Sequence, residues 1–169
     1  FQRYLQIIII YVIDVKMFGN LFNNKSNTSL ILLFLSLVIL DQVTKSLVIN
    51  NFDLYDSIII LPSVNLTFVV NYGFAFGLLN NPSLNQIFVS AVIFFIILYF
   101  LYLLLKTQDR IFRLTIILIL AGAIGNFIDR VIRGFVIDFI DVYIGKFHWP
   151  AFNVADSCIT LGFVILMIN

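Results

Sequence analysis

Four long apolar runs dominate this chain, at about 29–49, 84–105, 111–128 and 151–169. A helix rises about 1.5 Å per residue, so crossing a hydrocarbon core of about 30 Å takes roughly 20 mostly apolar residues, and each run meets that need. Composition argues against a soluble globule. Of the 169 residues, 62% are hydrophobic and only 11% charged, whereas a soluble domain carries about 25% charged residues. With 19 Phe, the apolar side chains exceed what one compact core hides, and lipid must cover much of the surface. The expected fold class is an all-α membrane protein: four transmembrane helices, with a small β element in the outer loops.

Orientation follows from the basic residues. Lys25 precedes the first run and Lys106, Arg110 and Arg113 flank the turn between the second and third, whereas the 50–83 loop has Asp53 and Asp56 and no basic residue. Both termini are expected to be cytoplasmic and both long loops outside. Within those loops Val64–Val70 alternates and is β-branched, as a strand would be, and Phe135–Asp141 does so more weakly. The first Met is Met17. Residues 1–16 are expected to be an upstream extension or an artefact of the start site, because Ile7–Ile13 is too short to span and no small-residue cleavage site follows it. Residues 17–169 read as one integral membrane domain.

A net charge of +1 gives no electrostatic case for nucleic acid. The single Cys158 lies in an apolar run and reads as core packing. With one His and one Cys, a metal site would have to rest on carboxylates alone, and none is expected.

Ionisable groups inside a span are expensive and by default mark function. Asp41 and Lys45 lie in the outer half of the first run, and Asn126, Asp129 and Arg130 close the third. Asn153 and Asp156 open the fourth, while Asn71 and Asp138 belong to the outer loops. Each has a plain structural reading: a self-neutralising i,i+4 pair for Asp41 and Lys45, a helix end for Asp129 and Arg130, an N-cap with a first-turn acid for Asn153 and Asp156. Convergence of all of them at one depth is harder to dismiss. The small residues of Ala121-Gly122-Ala123-Ile124-Gly125 would let the third helix approach a neighbour closely.

Two carboxylates forced together at low dielectric cannot both ionise, so one keeps a proton while the other serves as a base. That is the requirement for an aspartic peptidase. Asp138 and Asp156 are separated by the turn-formers Gly145 and Pro150, so the loop between them can fold back on itself. On spacing alone Asp141 competes with Asp138.

Asp41-Gln42-Val43-Thr44-Lys45, Asn71-Tyr72-Gly73-Phe74-Ala75-Phe76, Gly125-Asn126-Phe127-Ile128-Asp129-Arg130, Val136-Ile137-Asp138-Phe139 and Trp149-Pro150-Ala151-Phe152-Asn153-Val154-Ala155-Asp156-Ser157 resemble, in order, the motifs of lipoprotein signal peptidase, or signal peptidase II. The likeness runs from about residue 30 to the end. It implies a peptidase of the bacterial cytoplasmic (inner) membrane that removes the signal peptide of diacylglyceryl-modified prolipoproteins just before the lipidated cysteine. It also implies Asp138 and Asp156 as the catalytic pair, with Asp41, Lys45, Asn71, Gly73, Asn126, Asp129, Arg130 and Asn153 ordering the site or holding substrate. No cofactor is implied, a monomer among membrane lipids is expected, and the cyclic peptide globomycin is expected to bind in the cleft. The alternative is a small proton- or ion-coupled carrier using the same carboxylates. A relay calls for polar groups at several depths, whereas the inner halves of these runs are almost purely apolar.

Overall fold

The computed structural model describes residues 25–73 and 86–169. These form α1 (Lys25–Asn51), β1 (Ser57–Leu61), β2 (Val64–Asn71), α2 (Gln86–Lys106), α3 (Arg110–Arg133), β3 (Val136–Ile144), β4 (Phe147–His148) and α4 (Val154–Ile168). The N-terminal segment, including Met17 and Ile7–Ile13, lies outside the described residues, as does the start of the second apolar run. Among the described residues, α1, α2 and α3 are long and apolar enough to cross a membrane. The described residues are mostly helical, with one small antiparallel sheet.

The fourth apolar run departs from the expected helix over 151–169. Phe152 is held extended by a bridge to Ile140, and Asn153, also extended, caps a helix that begins only at Val154. What remains is a 15-residue helix, about 22 Å long at 1.5 Å per residue. The third run departs in the opposite sense and extends beyond the expected 111–128. Asp109 caps its start by accepting the Phe112 N–H at 2.7 Å, and Gly134, at φ 81°, ends it in the left-handed conformation that glycine adopts without steric cost. Asp129 and Arg130 therefore lie inside α3 and do not cap it.

α3 is the axis of the bundle, packing against α1, α2 and α4. One apolar cluster joins Ile97 and Leu104 of α2 to Ile116, Ile117, Leu120 and Ala123 of α3, with Leu33 and Phe34 of α1 against it. The expected close approach of α3 is made to α4. A β-carbon on Gly122 would strike the Ala155 carbonyl oxygen and come within 2.6 Å of Ile159, and one on Gly125 would come within 2.6 Å of an Asp41 oxygen. Elsewhere α1 and α2 turn outward large apolar side chains such as Leu32, Ile39, Leu47, Phe88, Phe95 and Tyr102, which lipid must cover.

The sheet has the order β1-β2-β3-β4. The two strands expected from alternation are its central pair, slightly longer than predicted. β1 was not foreseen: Ser-Ile-Ile-Ile-Leu has no alternation and is exposed throughout. In the β2–β3 register Asp138 faces Val69 and Asp141 faces Asn65, with an irregularity between Leu66 and Val69. Side chains alternate along a strand, so Asp138 and Asp141 project from opposite faces of β3. A second cluster, Val48, Phe68, Ile137 and Phe139, seats the sheet on the end of α1.

Candidate active site

Lys45 is fully buried, a costly state for an ammonium unless every N–H finds an acceptor. Its three donors find Asp41 Oδ2 at 2.8 Å, Asp129 Oδ2 at 2.8 Å and Asn126 Oδ1 at 2.9 Å. Arg133 balances the second carboxylate through a 2.5 Å contact with Asp129 Oδ1. The expected self-neutralising pair of Asp41 and Lys45 is thus half of a larger knot that ties α1 to α3. Asp41 Oδ1 also accepts the Ala155 N–H at 2.9 Å, a buried carboxylate at the positive end of α4.

The knot fixes the orientation of Asn126. An ammonium only donates, so the Asn126 oxygen must face Lys45 and its amide nitrogen must face away. That nitrogen donates to Asp156 Oδ1 at 2.8 Å. Asp156 Oδ2 accepts the Asn153 backbone N–H at 3.2 Å, while Asn153 Oδ1 accepts the Asp156 N–H at 2.8 Å, a reciprocal capping box. The plain reading of Asn153 as an N-cap is correct, but its role does not end there. Its Nδ2 donates to Asp138 Oδ1 at 2.7 Å, to the Ile137 carbonyl at 3.1 Å and to Asn126 Oδ1 at 3.2 Å. Asn71 donates to Asp138 Oδ2 at 3.1 Å while accepting the Gly73 N–H at 2.9 Å. Arg130 donates to the carbonyls of Gly73 and Asn126, and its Nε is buried without a partner among the described residues.

Every site residue expected from the sequence thus joins one network. Phe74, Ala75 and Phe76 of the second motif lie outside the described residues. Sequence reasoning missed two members. Gln42 donates to Asp41 Oδ2 and the Gly125 carbonyl, both at 3.1 Å, and its place beside Asp41 was the available signal. Arg133 stands one turn beyond Asp129. Asp141 is engaged elsewhere, accepting from Asn65 at 2.8 Å and lying 2.9 Å from the His148 ring nitrogen. Cys158 is buried and unpaired as a thiol.

A cavity of about 230 Å³ opens beside this network. Asn71, Asn126, Arg130 and Asp156 line its polar end, and Ile93, Phe100, Ile119 and Phe163 its apolar end. Asp138 sits behind that wall, 3% exposed. Burial, and after it the charge of Asp156, push the Asp138 carboxyl up from its ordinary 3.8 to about 7, against the lowering effect of the Asn71 hydrogen bond. Among the described residues no three His, Cys, Asp or Glu side chains gather closely enough to hold a metal ion.

Residues 33–169 match the family model of signal peptidase (SPase) II. The chain belongs to the signal peptidase II family. It is 40% identical over 139 residues to the lipoprotein signal peptidase of Wigglesworthia glossinidia brevipalpis, covering 82% of this chain and 91% of that one. With the lipoprotein signal peptidase of Pasteurella multocida (strain Pm70) it shares 42% identity over 150 residues, 86% of this chain and 91% of the relative. A bacterial membrane enzyme solved by the in meso method at 2.3 Å resolution superimposes with a TM-score of 0.76 at 35% identity, over 83% of this chain and 86% of that one. Membership of the signal peptidase II family makes the chain a membrane peptidase, and the carrier alternative finds no support.

Proposed function

We propose that this signal peptidase II cleaves the signal peptide from diacylglyceryl-modified prolipoproteins, just before the lipidated cysteine, with Asp138 and Asp156 as the catalytic pair. The observation that carries the assignment is Asn153, whose side chain donates to Asp138 while exchanging two hydrogen bonds with Asp156. One amide residue thus joins both carboxylates. Asp141 is set apart by its opposite face and its own partners, which favours Asp138 over its neighbour.

The carboxyls share one proton. The ionised member takes a proton from water as the water oxygen attacks the scissile carbonyl, and the protonated member hydrogen-bonds the carbonyl oxygen. The resulting gem-diol collapses with proton transfer to the leaving amine, so the C–N bond breaks as the acid and amine form. Asn71, Asn126 and Asn153 hold the carboxyls in place. Arg130, on the cavity wall with an Nε that has no partner among the described residues, is suited to a substrate carbonyl that has no water to bond, while Asp41, Lys45 and Asp129 keep α1, α3 and α4 in register.

Residues 17–169 form the working unit of this reading, a monomer with α4 as its fourth span, both termini cytoplasmic and the sheet at the outer face of the inner membrane. Lys106, Arg110 and Arg113 at the α2–α3 turn support that orientation. The cavity, polar at one end and apolar at the other, suits a backbone segment followed by apolar side chains or acyl chains, and is the expected seat of globomycin. No cofactor enters the chemistry. Asp138→Asn and Asp156→Asn are each expected to give a folded protein that no longer shortens a lipidated precursor on a gel. Retained cleavage by either variant removes that residue from the pair.

A further inference from the structure

The chain must double back between Asp138 and Asp156 for the two to share a site, and the hairpin that turns it is slight. β4 has only two residues, both exposed, pairing as His148 with Tyr143 and Phe147 with Ile144. Four further backbone hydrogen bonds close the loop. The Phe139 and Ile140 N–H groups donate to the Phe152 carbonyl at 3.0 and 2.8 Å, the Phe152 N–H donates to the Ile140 carbonyl at 3.1 Å, and the Trp149 N–H donates to the Val142 carbonyl at 2.8 Å. A side-chain tie lies on the face of β3 opposite Asp138. His148 Nδ1 stands 2.9 Å from both oxygens of Asp141, its ring stacks on Tyr143 with centroids 5.0 Å apart, and Asn65 of β2 donates to Asp141 Oδ2 at 2.8 Å.

We propose that Asp141 and His148 are positioning residues for peptide cleavage: a clasp across the β3–β4 hairpin that sets where Asp138 on one arm meets Asn153 and Asp156 on the other. The inference rests on the assignment of Asp138 and Asp156 as the catalytic pair. Asp141 lies three residues beyond Asp138 on a strand held by Asn65, so its carboxylate is a fixed anchor. His148 lies five residues before Asn153, on an arm whose own backbone pairing is short. Fastening His148 to Asp141 restrains the segment that delivers the Asn153 amide to Asp138. Neither side chain hydrogen-bonds Asp138 or Asp156, and the tie lies on the face of β3 away from Asp138, so neither takes part in the chemistry.

The test measures kcat and KM of the purified full chain on a lipidated precursor, with thermal unfolding alongside. His148 is exposed enough that His148→Ala folds; it is expected to lose about tenfold in kcat, the scale of a sub-ångström misplacement, with KM and the unfolding midpoint little changed. His148→Gln, which keeps a donor, is expected to recover most of the loss, and Asp141→Asn/His148→Ala to fall no further than His148→Ala alone. Wild-type kcat in His148→Ala, or losses that multiply in the double variant, overturns the clasp. Inactive Asp138→Asn and Asp156→Asn beside an unaffected His148→Ala removes the clasp alone. Active Asp138→Asn beside inactive Asp141→Asn removes the catalytic pair instead and puts Asp141 in the chemistry.

Discussion

Asn153 donates its side-chain amide to Asp138 Oδ1 at 2.7 Å while capping the helix that carries Asp156. The two roles use different atoms, so they can be separated. Serine caps a helix about as well as asparagine but has no amide to reach Asp138. Asn153→Ser is expected to lose about 1.5–3 kcal/mol of stability with its hydrogen bond to Asp138 and to cleave about ten- to a hundredfold more slowly. Wild-type cleavage by the destabilised variant, measured beside its thermal unfolding, would reduce Asn153 to a structural residue.

The buried Asp138 predicts two pH effects. Its carboxyl lies at about 7 in the folded protein against an ordinary 3.8, so between those values the folded state holds a proton that the unfolded chain has released. Stability therefore falls as pH rises through that window and levels off above it. Asp138→Asn is expected to flatten this part of the curve, and unfolding temperatures at pH 5 and pH 8 read it directly. Cleavage by the wild type is expected to decline as pH rises through about 7, where the shared proton is lost.

Lys45 predicts a different failure. Lys45→Met leaves Asp41 and Asp129 buried beside an apolar side chain, which costs about 3–5 kcal/mol. Adding Asp129→Asn removes one of the stranded charges and is expected to restore part of the loss. Chemical denaturation in detergent compares the three proteins, and a double variant no more stable than Lys45→Met would show that the Lys45–Asp129 contact is not where the cost arises.

The α3–α4 seam has no room for a methyl group at Gly122, where the Ala155 backbone stands in the way. Gly122→Ala is expected to destabilise by about 1–3 kcal/mol and to lower cleavage as well, because pushing Ala155 outward moves Asp156 next to it. Unfolding and activity measured on the same preparation check both. Full activity with wild-type stability would mean that the two helices separate more easily than this packing implies.

The membrane character, three helices long and apolar enough to span, and the central pair of strands were all legible in the sequence. Apolar length and alternation are local properties that no tertiary contact needs to supply. The sequence also singled out the polar residues, since carboxylates, amides and a lysine in apolar surroundings are too costly to be incidental. Tertiary structure decided what those residues do to one another. The extent of α3 to Arg133 depended on a left-handed glycine and paired charges, and the late start of α4 on a bridge between Phe152 and Ile140. β1 carries no alternation and forms because β2 offers it an edge. The expected strand over 135–141 already sends Asp138 and Asp141 to opposite faces, but only folding brings Asn71 and Asn153 to the first and Asn65 and His148 to the second. The orientation of Asn126 depended on an ammonium 81 residues away in sequence, a contact that only folding brings about.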